Sequence, residues 1–418
     1  MSLLVVDVIG LATTECDFFP RQLQVNLPRI LSLVMLLGRS GAAGLFRKKV
    51  RKLGVSLLRT KPRRTKIWMS NEKAIIGCIL GTAVGDALGL PYEGLSAARA
   101  QKLLGPPERH RFFLRRGMIS DDTEHTCMVA QSLIESGGNV EVFARRFAAR
   151  LRWWMLALPA GVGKATSRSC VRLWFGISPS KSGVYSAGNG PAMRAAILGA
   201  TIEDVFKLLE FVRTSSRLTH TDPKAEFGAI AIALAAREAS LKDAVDANRW
   251  LEVVSQSMPG DATELLELLR SAVTSVENGQ STSRFARSLG LERGITGYTY
   301  HTVPIAVHSW LSFPNDFRKS VIAVIECGGD ADTTAAIVGG IVGARVGKEG
   351  IPADWLGDIW EWPRSVSWMQ SLGIELSQAW PNCSSAPVVN PIAVMLRNSL
   401  FLAIVLSHGF RRLSPPYS

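Results

Sequence analysis

The chain is poor in the side chains from which zinc and redox centres are built. Its 418 residues hold 6 Cys and 6 His. No two cysteines form a CxxC pair and no His/Cys group has zinc-ligand spacing, which argues against a zinc finger, a thioredoxin-like dithiol or a disulfide scaffold. Cys16, Cys78, Cys127, Cys170, Cys327 and Cys383 read as reduced, mostly buried thiols of a cytoplasmic protein. Long apolar runs are also lacking. Asp7 interrupts the run from Leu3 to Leu11, which no cationic segment precedes, and the runs Ile30 to Leu37 and Asn398 to Leu406 are too short to cross a bilayer. Neither a signal peptide nor a membrane partner is expected. Alternating β-branched runs are scarce, and there is no internal repeat or heptad seam. Gly161-Val162-Gly163-Lys164-Ala165 lacks the upstream Gly and the Ser/Thr of a Walker loop, so an ATPase is set aside.

A formal net charge of +13 first suggests a phosphate-bearing partner, but its distribution removes the suggestion. Residues 1–68 carry 13 Lys+Arg against Asp7, Glu15 and Asp17; the remaining 350 residues carry 35 basic against 32 acidic groups, an ordinary balance. The basic segment lacks interleaved aromatics and any recognised nucleic-acid module, so no nucleic-acid partner is expected. It reads as a disordered extension or, with Met69 as an alternative start, as an untranslated stretch. Ser70 or Asn71 is placed to cap the first helix.

From Lys73 to about Leu372 helical spacing recurs between Gly/Pro-rich loops: Glu124 to Glu135, Val140 to Leu158, Pro191 to Leu198, Pro223 to Ala239, Ala262 to Glu277, Thr302 to Leu311 and Thr333 to Val346. The expected fold class is all-α, a single compact domain over residues 70–378. Residues 379–418, with Pro381, Pro387, Pro391, Pro415 and Pro416, are expected to form an irregular tail of little chemical consequence.

Two acidic clusters each stand ahead of a helical run: Ser120-Asp121-Asp122-Thr123 and Gly328-Gly329-Asp330-Ala331-Asp332-Thr333-Thr334. Capping alone accounts for one acidic helix start. Together, however, the clusters would bring four carboxylates to two helix N-termini, and a pair about 4 Å apart costs roughly 4 kcal/mol at an effective dielectric near 20. Such a site calls for positive charge. All the donors are oxygens, which favours a hard cation such as Mg²⁺, or Mn²⁺ in its place, over zinc. An EF-hand fails, because the twelfth position from Asp330 is Ile341 where that loop requires Glu.

Three further motifs follow. Gly77, Gly81 and Gly85, four residues apart, read as a helix face for close packing; packing does not account for Asp86 or Glu93, and Glu93, past the helix end, is placed to face a ligand. Ser186-Ala187-Gly188-Asn189-Gly190-Pro191 is an ordinary turn or a loop feeding a helix whose free N–H groups hold phosphate. In Thr219-His220-Thr221-Asp222-Pro223 the last two residues form an N-cap and first-turn pair; His220 is left as a structural or a ligand-facing residue.

In order and wording these motifs resemble the ADP-ribosylglycohydrolase family, which includes the dinitrogenase reductase-activating glycohydrolases, over roughly residues 72 to 372. The carriers are Gly81 to Glu93, Ser120 to Thr123, Gly188 to Arg194, Thr219 to Pro223 and Gly329 to Thr334. The resemblance implies an all-helical hydrolase with two magnesium ions, held by Ser120, Asp121, Asp122, Asp330, Asp332 and Thr333. It implies Glu93 as the acid or base beside the scissile bond, with Asp121 and Asp332 essential to catalysis. Ser186, Gly188, Asn189 and Gly190 would hold a diphosphate, and His220 would lie near the ribose. The implied substrate is an ADP-ribosylated protein or a small ADP-ribose conjugate; the alternative is a non-catalytic ADP-ribose binder on the same scaffold. Ala187 stands where some relatives carry an aromatic.

Overall fold

A computed structural model describes residues 72–241, 243–379 and 383–412. The basic segment 1–68, Met69 and the capping positions Ser70 and Asn71 lie outside them. The described chain is helical apart from one small antiparallel sheet, in which β1 (Leu95–Ser96) pairs with β2 (Gly328–Gly329).

Eight helices position the site: α1 (Glu72–Gly89), α2 (Asp121–Ser136), α3 (Val140–Leu156), α4 (Pro223–Ser240), α5 (Thr299–Ser312), α6 (Ala331–Val346), α7 (Val366–Ala379) and α8 (Pro391–Arg412). α1 is the axis of the core, buried from Ala74 to Gly89. It lies along α6, with α2 and α7 also against it, and α4 and α5 pack on α6. The glycine spacing of α1 explains its closeness to α6. A Cβ at Gly77, Gly81 or Gly85 would run into the carbonyl oxygens of Gly343, Gly339 and Ala335, and a Cβ at Gly339 or Gly343 would run into Gly81 and Gly77. Two backbones thus touch where side chains would hold them apart, which maximises dispersion contact.

Local signals set the helix ends. Ser120 caps α2 by accepting from the Asp122 N–H (3.4 Å), and Gly137 closes it in the left-handed conformation. Asp222 accepts from the Lys224 N–H (2.9 Å) at the start of α4, with Pro223 in the first turn.

Two expectations fail. The helix read from Pro191 to Leu198 is two short ones, Gly190–Met193 and Ala196–Thr201, broken at Arg194. The Arg194 guanidinium is buried and donates to Ser215 Oγ (3.2 Å), Ser215 O (2.9 Å) and Thr219 Oγ1 (2.6 Å). The segment after residue 379 is not irregular throughout, because α8 occupies 22 residues of it. Asn390 Oδ1 accepts from the Ile392 N–H (2.9 Å), so Asn390-Pro391 works as Asp222-Pro223 does.

Candidate active site

The two acidic helix starts converge. Thr333 Oγ1 donates to Asp122 Oδ2 across 3.3 Å, joining the first turns of α6 and α2. Asp122 Oδ2 also accepts from Ser120 Oγ (3.2 Å). The β1–β2 pair brings the third acidic segment alongside: the Gly94 N–H donates to Gly329 O (2.8 Å), tying the turn that carries Glu93 to the residue before Asp330. Gly329 has φ +82°, and a Cβ there would strike the backbone of Ile295, so only glycine fits. The Asp330 N–H then donates to Ile295 O (2.8 Å).

A cavity of about 360 Å³ opens above this junction, a size suited to part of a nucleotide-sized ligand. Glu93, Ser120, Asp121, Asp330, Asp332 and Thr333 line it, as do Ser186, Gly188, Asn189, Gly190 and His220; Asp122 is buried behind them. The motifs read from the sequence are therefore brought to one place.

Desolvation dominates the electrostatics. Burial raises the pKa of Asp121, Asp122 and Asp332 well above the carboxylate range. Asp86 and Glu124 add to the rise at Asp121, Asp121 and Asp86 at Asp122, and Glu93 and Asp330 at Asp332. Asp330 is raised by burial too, against the hydrogen bond from Asn189. Among the described residues no Lys or Arg pairs with these four. The buried oxygens Asp122 Oδ1 and Asp332 Oδ1 have no hydrogen-bond partner.

Those orphaned acceptors, in an all-oxygen set of mutually repelling groups, fit a hard divalent cation. Among the described residues no three His, Cys, Asp or Glu side chains already surround one point, so a cation here would take hydroxyl as well as carboxylate oxygens, from Ser120 and Thr333.

Asp86, in the last turns of α1, organises the first cluster. Its carboxylate accepts from the Ser120 N–H (3.0 and 2.9 Å), the Thr123 N–H (3.2 Å) and the Thr123 hydroxyl. Burial nevertheless pushes its pKa up to about 6. The sequence singled out Asp86 without assigning it a task; it holds the turn that carries Asp121 and Asp122.

The loop Ser186–Gly190 departs from expectation. The helix after it has a single turn, so it offers little dipole to an anion, and the Asn189 N–H already donates to Gly297 O (2.9 Å). Ser186 Oγ accepts from the Gly188 N–H (3.3 Å). Asn189 Nδ2 is committed to Asp330 Oδ2 (2.7 Å) and Thr302 Oγ1 (3.0 Å), which makes Asn189 a positioning residue for the second cluster. His220 is buried, and its Nδ1 lies 2.8 Å from Thr219 Oγ1. Burial, reinforced by Arg194, lowers its pKa to about 3, so the ring is neutral. Its Nε2 edge lies where Cβ atoms at Gly188 and Gly190 would crowd it.

Comparisons with known proteins show the family. The sequence pattern of the family described as ADP-ribosylglycohydrolase matches residues 69–385. An uncharacterized protein of Archaeoglobus fulgidus is 33% identical over 293 residues, covering 68% of this chain and 91% of its own. The chicken (Gallus gallus) ADP-ribosylhydrolase ARH3 is 28% identical, covering 67% and 87%. The ADP-ribosyl-[dinitrogen reductase] glycohydrolase of Rhodospirillum rubrum is 27% identical, covering 67% and 88%. The chain belongs to the ADP-ribosylglycohydrolase family and is a glycosidic-bond hydrolase.

Proposed function

We propose that the chain is a magnesium-dependent enzyme that hydrolyses the N- or O-glycosidic bond between ADP-ribose and an acceptor on a protein or small molecule. The observation that carries this reading is the junction of α2 and α6, where Asp122 and Asp332 keep unpartnered buried oxygens beside Asp121 and Asp330. Ser120, Asp121, Asp122, Asp330, Asp332 and Thr333 would hold two Mg²⁺, with Mn²⁺ a substitute. Bound there, the ions would supply Lewis acidity toward ribose hydroxyls and water.

The chain's own residues do the rest. The Ser186–Gly190 loop holds the diphosphate through the Ser186 hydroxyl and the N–H groups not spent within the fold, the Asn189 N–H being committed to Gly297 O, and the neutral His220 ring packs against Gly188 and Gly190. Glu93, which lines the cavity with Asp121 and Asp332, moves the proton between the incoming water and the departing acceptor. Water's hydroxyl ends on the anomeric carbon and its proton on the acceptor. The names of the relatives from chicken and Rhodospirillum support an ADP-ribosylated protein as substrate.

The test is release of ADP-ribose from a panel of ADP-ribosylated acceptors. Release with Mg²⁺ that stops on adding EDTA is expected; undiminished turnover after exhaustive metal removal defeats the metal assignment, and no release from any acceptor defeats the substrate assignment.

A further inference from the structure

Helix α8 lies beyond residues 69–385, the stretch matched by the family pattern, yet it reaches the cavity. Its inward side carries polar groups. Arg397 donates from Nε and Nη2 to the two carboxylate oxygens of Glu361 (2.8 and 2.7 Å), and from Nη2 to the carbonyl of Ile119. Glu361 Oε2 in turn accepts from the Ile119 N–H (3.1 Å). Both polar groups of the Ile119 backbone, one residue ahead of Ser120, are thus held by a buried ion pair. Asn398 Nδ2 donates to Ala157 O (2.8 Å), just ahead of the Ala160–Gly161 stretch of the cavity wall. Phe401 and Val405 complete that wall with Leu90 and Glu93; Phe401 is buried in one cluster with Leu90 and Phe112, with the Arg397 guanidinium 4.4 Å above its ring.

We propose that α8 is an added wall of the substrate site: Arg397, paired with Glu361, positions the Ser120–Asp122 turn, and Phe401 and Val405 select the acceptor end of the substrate by its apolar stem. This rests on the hydrolase reading above. The loop Ser186–Gly190 and His220 offer polar atoms suited to a sugar diphosphate. Carbon is supplied on the Glu93 side, where Leu90, Phe401 and Val405 stand. An acceptor bearing methylenes or a ring covers that surface, whereas a small polar acceptor leaves it wet.

The test uses the full chain on a Glu93→Gln background, so that conjugates bind without turnover. Affinities for ADP-ribosyl-arginine, an ADP-ribosyl acetyl ester and free ADP-ribose are measured by calorimetry. Phe401→Ala is expected to shift the arginine-to-ester affinity ratio by about tenfold while moving free ADP-ribose by no more than about twofold. Arg397→Gln is expected to speed hydrogen exchange in residues 117–126 by about tenfold, with Arg397→Lys partly restoring protection. Leu396→Gln, on the outward face and 61% exposed, should change neither. An unchanged ratio in Phe401→Ala, or unchanged exchange in Arg397→Gln, overturns the proposal. Because both readouts are binding and exchange, conjugates that bind to a wild-type chain without being cleaved defeat the hydrolase reading alone; full wild-type turnover with an unmoved ratio defeats this inference alone.

Discussion

α1 and α8 are the two described helices long and apolar enough, by composition, to cross a membrane, yet the protein uses them in opposite ways. α1 is buried on every side; apolar contact and glycine-mediated backbone approach hold it, and its one acidic residue past the first turn, Asp86, is spent on capping α2. α8 is turned the other way. Its polar Arg397 and Asn398 face the protein beside Val394, Phe401 and Ile404, while Ile392, Met395, Leu396, Leu402 and Leu406 face out. The contrast shows that apolar composition alone does not determine where a helix sits. In α8 the buried Arg397 guanidinium needs partners, and Glu361 and the Ile119 carbonyl supply them.

Replacing a glycine at the α1–α6 contact should break that contrast most severely. Gly81→Val drives carbon into the Gly339 carbonyl and is expected to cost more than about 4 kcal/mol; a thermal midpoint within a few degrees of wild type would contradict it. On the α6 side of the same contact, Asp332→Asn should lower kcat at least about a thousandfold, or roughly 4 kcal/mol, with the fold retained. It removes one of several mutually repelling charges, so its melting point in EDTA should rise rather than fall; a lower one would mean that the carboxylate is not in excess there.

On α8, Arg397→Met leaves Glu361 buried without its cation, an expected loss of about 3 kcal/mol, and adding Glu361→Gln should recover most of it. Urea melts of the single and double variants check this; equal destabilisation would mean the pair is not coupled. The smallest effect belongs to the outward face. Leu406→Gln, at a side chain 51% exposed, should move stability by no more than about 0.5 kcal/mol in the isolated chain, and a larger loss would show that the face is covered.

Much of this was legible in the sequence because period and caps are local. The helical spacing of α2 to α6, the Asp222-Pro223 start and the close-packing glycines of α1 all follow from residues within a turn of one another. The convergence of Ser120–Asp122 with Asp330–Thr333 was legible only because the combination of motifs resembled a family; in isolation each cluster reads as a helix cap. What escaped were long-range polar pairings. Asn189 to Asp330, Asp86 to the Ser120 backbone, and Arg397 to Glu361 join positions 141, 34 and 36 residues apart, and no periodicity records them. α8 is hard to read for a different reason: five prolines give its segment the composition of an irregular tail, although one of them, in Asn390-Pro391, starts a helix.

By itself, then, the sequence determined that the chain is helical, where most of its helices begin, and that oxygen-bearing side chains crowd two of those starts, since backbone propensity and capping act over a few residues. Only tertiary structure decided that those starts meet, that Asp122 and Asp332 keep bare oxygens there, and that a helix beyond the family pattern closes the cavity. Those outcomes depend on which buried polar groups find each other across the core, and burial exists only once the chain has folded.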